Sequence, residues 1–199
     1  MWGQIFTFIA AVLCLYFIFK YLSDQVKDVK FAASSAVVFW ILMQIGAAIE
    51  IPYHQSILDM LHVTAVSFVL VALLMVTRHL RPFIFRYPYG LSYVPLLIPF
   101  THLLVLDTYF IKDIIFLSTQ GVAIAVYALL MLTNDIDTSS IISVLASTVL
   151  ILSAYIMVWF LTDIYVIQNY YWQILLSAGM ILGGYSFTRN IENNINPES

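Results

Sequence analysis

Charged side chains are scarce in this chain: only 10% of its 199 residues are Asp, Glu, Lys or Arg, while 62% are hydrophobic. A water-soluble domain of that length buries about two-thirds of its surface, which leaves no place for so much apolar material. A bilayer supplies the missing environment. The formal net charge of -3 is small and indicates neither a nucleic-acid groove nor a polybasic membrane anchor. Cysteine is nearly absent. Cys14 stands alone in an apolar run, so it makes no intrachain disulfide and reads as a small buried hydrophobe.

Other absences remove chemistries. No basic residue precedes the apolar run from Trp2 to Tyr21, and Lys20 stands where a small-residue cleavage site would be. The run therefore reads as a retained helix, not a signal peptide. The last apolar run has no lysine, which excludes a retinal Schiff base of the usual opsin kind, and no paired histidines lie deep in two helices to suggest haem. There is no His-x-x-x-His or His-Glu-x-x-His to specify a metal. No Gly-rich serine environment supports intramembrane serine proteolysis. Asp135 and Asp137 read as a solvated helix cap, not a catalytic pair. The expectation is a non-enzymatic protein without a cofactor, and no metal motif is specified.

What remains is length. Seven apolar segments are long enough, or nearly so, to cross about 30 Å of hydrocarbon. They run from Trp2 to Leu22, Phe31 to Ile51, Ile57 to Thr77, Tyr89 to Leu106, Lys112 to Leu132, Ser139 to Thr162 and Asn169 to Thr188. Pro95 and Pro99 should kink the fourth. With the N-terminus outside, the inner connections and tail hold Lys20, Lys27, Lys30, Arg78, Arg81, Arg86 and Arg189, and only Lys112 falls outside. That is a strong positive-inside bias. The fold class expected is an all-α integral membrane protein. It is a seven-transmembrane helix bundle with the N-terminus outside and the C-terminus cytoplasmic, one domain over 1–189 and a short polar tail over 190–199. Short connections should make sequential helices neighbours in one compact bundle.

Polar residues gather at the outer ends. Glu50, His54, Asp59, His62, His102 and Asp107 map there, with Asp113 and Asp163 near them. Carboxylates and imidazoles converging in this way suit a ligand- or proton-responsive pocket, a metal site, or hydrogen-bonded structural pairs. A histidine inside a membrane domain needs a partner or a task, which singles out His62 and His102. A His62–Asp59 contact is the plainer explanation of one of them. Gln44, Gly46 and the pair Gly179 and Gly183 read as helix-packing positions, the last leaving a homodimer seam open. Ser140, Ser143, Ser147, Thr148 and Ser153 form a hydroxyl stripe explained by bonds to the preceding turn. Arg78, Arg81 and Arg86 make the one concentrated basic patch, the expected contact for a cytoplasmic partner.

The run Gly46-Ala-Ala-Ile-Glu50, then Leu61 to Thr77, then Ile98-Pro-Phe-Thr-His-Leu-Leu-Val-Leu-Asp107 resembles the N-terminal seven-helix membrane domain of some bacterial sensor histidine kinases. The resemblance covers residues 46–107. It implies a stimulus-sensing module in the bacterial cytoplasmic (inner) membrane, with Glu50 as the acid near the outer pocket and Asp107 at the polar outer end of the fourth helix. His102 departs from the pattern. So does the lack of a kinase domain after Arg189, which implies signalling through a separate cytoplasmic protein or membrane-complex partner. The leading expectation is a multi-pass sensor and signal-relay module. The alternatives are a small transporter or channel, or a structural subunit of a larger membrane complex.

Overall fold

The computed structural model describes residues 2–48, 54–104, 109–133, 138–161 and 171–195. Among them are seven α-helices: α1 (Trp2–Tyr21), α2 (Lys27–Ala48), α3 (His54–Leu80), α4 (Ile98–Leu104), α5 (Tyr109–Thr133), α6 (Thr138–Ile156) and α7 (Tyr171–Ile195). Five helical stretches are long and apolar enough to cross a membrane: Gly3–Tyr21, Asp24–Ala47, Gln55–Leu80, Phe110–Leu132 and Ile141–Phe160. Large apolar side chains stand exposed along them, Phe19, Phe31, Phe110, Leu129 and Ile142 each above 60%. Such a surface is stable only against lipid. The chain is a multi-pass membrane protein.

The fourth expected span is built differently. Residues Tyr89–Leu97 wind as a 3₁₀ helix and only Ile98–Leu104 are α-helical. Pro95 has no N–H, and its ring crowds the carbonyl of Leu91, so the α register is obstructed there and a tighter winding takes over. Pro99 falls in the first turn of α4, where a missing N–H costs little. The winding has a geometric consequence. An uninterrupted α-helix over 89–104 would rise about 24 Å, whereas the observed 3₁₀-plus-α segment rises about 28 Å. That nearly matches the hydrocarbon thickness of about 30 Å.

The helices sort into two compact units, 1–22 with 128–199, and 23–127. The expected single compact bundle of sequential neighbours is not how α1 packs, because its partner is α7. Gly3 lies against Gln173, Cys14 against Gly184, and Phe17 against Tyr185, so α1 and α7 run parallel. Helix α6 runs antiparallel to α7, with Ser143 at Ser186 and Ile151 at Gly179. Sandwiched in this way, α7 tolerates the polar residues that keep it less apolar than the five. Ser177, Ser186, Thr188 and Asn190 are all buried. The expected polar tail from 190 also changes. Helix α7 continues to Ile195 and buries Asn190 and Ile191, the former with its amide on Met131 Sδ at 3.8 Å.

In the second unit α2 and α3 form an antiparallel hairpin. Asp28 meets His79 at one end, Phe39 stacks on Phe68, and Gly46 approaches Leu58 at the other end. The 3₁₀–α4 segment returns along α3. Tyr87 donates its hydroxyl to the Leu74 carbonyl, and Ile98 packs on Val66 and Leu70. Helix α5 then runs parallel to α3, with Phe116 and Gln120 at His62 and Ala123 in the Val66–Leu70 cluster.

Candidate functional site

The polar focus of the second unit is His62. On α3, residues 62, 66 and 70 share a face, and on α5 residues 116, 120 and 123 do the same. Two parallel helices place these stripes opposite each other. The ring of His62 meets Trp40 of α2 edge-on at 5.0 Å between centroids and Phe116 at 5.2 Å. Gln120, itself buried, puts its amide Nε2 at 3.1 Å from His62 Nε2. His62 lies about 10 Å along the Gln55–Leu80 span and Gln120 about 15 Å along the Phe110–Leu132 span. The imidazole is therefore held at hydrocarbon depth by three helices.

The chemistry of the contact has two states. As placed, the amide N–H of Gln120 donates to a neutral imidazole whose own proton is on Nδ1. If Nε2 gains a proton it becomes a donor, and the amide must turn over to offer its oxygen. A second group is poised beside it. Trp40 is buried, and its Nε1–H has no hydrogen-bond partner among the described residues. A buried unpaired donor is uncommon and calls for an explanation.

The residues expected to gather at the outer ends fare unequally. Asp59 accepts a bond from Gln55 Nε2 at 2.9 Å, one turn away on α3, while His62 turns to Gln120. His54 opens α3 and His102 lies in α4, with side chains outside the described set. Glu50 and Asp107 fall outside the described residues. Asp113 is exposed. Among the described residues no group of three His, Cys, Asp or Glu is arranged to hold a metal ion.

Sequence reasoning missed Trp40, Phe116, Gln120 and Lys112. Lys112, the lone exception to the basic asymmetry, is 7% exposed and sits one turn from Phe116 on α5. A glutamine within an apolar span was the available signal, since an amide at that depth needs a partner.

The basic connection after α3 has internal order. Arg78 donates through Nε to the Tyr87 carbonyl at 3.2 Å and lies over the Tyr89 ring at 5.2 Å, so it holds the loop against the helix end. Arg86 folds back, donating from Nε to the Arg81 carbonyl at 3.0 Å and from Nη2 to the His79 carbonyl at 3.4 Å. These carbonyls end α3 and would otherwise lack donors. Arg81 stands exposed over Tyr87. Gly179 belongs to the other unit. A Cβ built on it would come within 2.6 Å of Ile151 Cγ1, so it permits the α6–α7 approach. Gly183 is buried on the same helix.

Comparison with protein-family models, curated proteins and solved structures finds no match. The likeness of residues 46–107 to sensor-kinase membrane domains thus rests on its sequence motifs alone, while the membrane-spanning helical bundle stands on the structure.

Proposed function

We propose that this is a non-enzymatic sensor and signal-relay protein of a bacterial inner membrane, with seven crossings and the N-terminus outside. The responsive element is the Trp40–His62–Phe116–Gln120 site. Parallel α1 and α7, and parallel α3 and α5, support an odd count. If the segment 89–104 did not cross, α5 would run antiparallel to α3. The excess of basic residues on the connections after α1 and α3 supports the orientation.

The observation that carries the sensing role is the part-buried His62–Gln120 contact on a rigid lever. His62 and the Arg78 loop belong to one uninterrupted helix of 27 residues, α3. About 24 Å separates them along its axis. Changing the partner of His62 Nε2 shifts the α3–α5 contact, and α3 delivers that shift to the His79–Asp28 pair at 2.9 Å and the loop beyond it. Within about two turns of the site on the helices that form it, the other titratable groups are Asp59 on α3 and Lys112 and Asp113 on α5.

The test uses the full chain in lipid nanodiscs with Trp2, Trp159 and Trp172 changed to Phe, leaving Trp40 as the reporter. Between about pH 8 and pH 4, a window that extends below histidine's ordinary charge change, Trp40 emission and amide exchange over 78–87 should change together. His62→Gln should abolish both. A Trp40 response with no change in the loop, or a joint response surviving His62→Gln, would sink the reading.

A further inference from the structure

The turn that follows α3 exposes what a folded chain normally hides. Ile84 is 86% exposed and Phe85 70%, although the turn is locally closed by the Phe85 N–H on the Pro82 carbonyl at 2.9 Å. These two side chains are therefore held outward by an ordered 3₁₀ turn over Phe83–Phe85. On either side stand Arg81 and Arg86, both exposed. Arg86 is bent toward Arg81 by its bond to the Arg81 carbonyl, so its guanidinium lies against the Arg81 backbone. Among the described residues no carboxylate pairs with Arg78, Arg81 or Arg86, whereas Lys30 and His79 have Asp24 and Asp28. Arg86 still has N–H groups of its fork uncommitted after its two backbone bonds.

Position decides what fits. The turn begins directly after Leu80, the last residue of a membrane-crossing stretch, so it lies at the boundary between hydrocarbon and water. Two outward apolar side chains flanked by unneutralised guanidinium groups at that depth match one molecule on both counts, an acyl chain with an anionic head. We propose that the turn 81–87 docks an anionic phospholipid, with Arg81 and Arg86 on its phosphate and Ile84 and Phe85 among its acyl chains. A guanidinium fork suits phosphate oxygens bidentately, and Tyr87 beneath Arg81 limits the directions it can take. The proposal needs only the turn to lie at a membrane face. It is independent of the sensing role and of which side that face is on.

The experiment measures lipid retention by the full chain in detergent, using native mass spectrometry with phosphatidylglycerol and phosphatidylcholine in competition. The wild type should retain phosphatidylglycerol about tenfold better, in line with two cations near an anionic surface. Arg81→Gln with Arg86→Gln should bring the two lipids to parity. Because Arg86 also closes the end of α3, Arg81→Gln alone, which removes only a ring contact, should still reduce the preference about threefold. Ile84→Ser with Phe85→Ser should weaken retention of both lipids while keeping the headgroup preference. An unchanged preference in both arginine variants would overturn the proposal. So would full competition by water-soluble glycerol phosphate, which would make the site one for free phosphate. Arginine variants that lose a bound soluble protein but no lipid would make it a protein dock and overturn it equally.

Discussion

The two units handle buried polarity in opposite ways. In the unit of α1, α6 and α7, every buried polar side chain among the described residues has a partner. Thr7 bonds the carbonyls of Gly3 and Gln4, Ser147 that of Val144, Ser177 that of Gln173, and Thr188 that of Gly184, while Ser186 meets Ser143 at 2.7 Å. In the unit of α2 to α5, Trp40 Nε1, Ser67 Oγ and Ser92 Oγ are buried with no partner among the described residues. Hydrocarbon offers no water to compensate, so an unpaired group inside a bilayer is costly. A satisfied interior holds one arrangement, whereas an unsatisfied one leaves groups for an alternative arrangement or a ligand. On the sensing proposal, the first unit is the scaffold and the second the responsive part.

The largest effect should come from breaking the scaffold. Gly179→Leu drives a side chain into Ile151, whose backbone nitrogen is already 3.1 Å from the position of a Cβ. It should cost about 3 kcal/mol, the upper end of what overpacking does, read as thermal unfolding in detergent. Gly184→Ala crowds the Cys14 sulfur at 2.9 Å but leaves the Cys14 backbone at an ordinary 3.8 Å, and should cost distinctly less. If the two were equal, close backbone approach would not be what α7 provides.

Next in size is the polar contact of the second unit. His62→Leu leaves the Gln120 amide buried without its imidazole, which should cost about 2 kcal/mol in the same assay. Adding Gln120→Leu should cost less than the sum, with a coupling of about 0.6 kcal/mol and at most about 1.7. Strict additivity would mean that the two side chains are adjacent without interacting.

How much of this was legible follows from the range of each signal. Long apolar runs marked α1, α2, α3, α5 and α6, because bilayer thickness acts on each helix alone. Pro95 and Pro99 marked the fourth segment as irregular, but a proline forecasts a kink as readily as the 3₁₀ winding that is found. The Asp59–Gln55 bond spans four residues on one helix and is of the kind spacing reveals. His62 stood out because an imidazole at that depth is costly, yet its partner lies 58 residues away on a helix whose rotation no local pattern fixes. The α1–α7 pairing was hidden for the same reason, since only tertiary structure brings the chain ends together.

A change at Trp40 separates stability from response. Trp40→Phe removes the unpaired indole N–H and keeps most of the ring's bulk, so unfolding should shift by less than about 1 kcal/mol in either direction. If the vacant donor serves the stimulus, the exchange change over 78–87 should nonetheless shrink at least severalfold. An unaffected loop response would assign Trp40 to packing alone and leave His62 and Gln120 as the whole responsive element.

The smallest effects test the comparison most directly, because they use one chemistry in both units. Ser143→Ala removes one half of the Ser143–Ser186 bond and leaves Ser186, 3% exposed, to find another acceptor. Interhelical bonds of this kind in membranes are worth about 0.6 kcal/mol, so a small loss is expected. Ser67→Ala removes a hydroxyl that is fully buried and makes no bond among the described residues, unlike Thr64 and Thr77 on the same helix, which return theirs to Met60 and Leu73. Nothing is lost with it except an unfavourable burial, so the variant should be neutral or more stable by up to about 1 kcal/mol. The two substitutions should therefore differ in sign though not in kind. If Ser67→Ala instead destabilised as much as Ser143→Ala, the Ser67 hydroxyl would have an acceptor in the membrane, and the second unit would be as well satisfied at that position as the first.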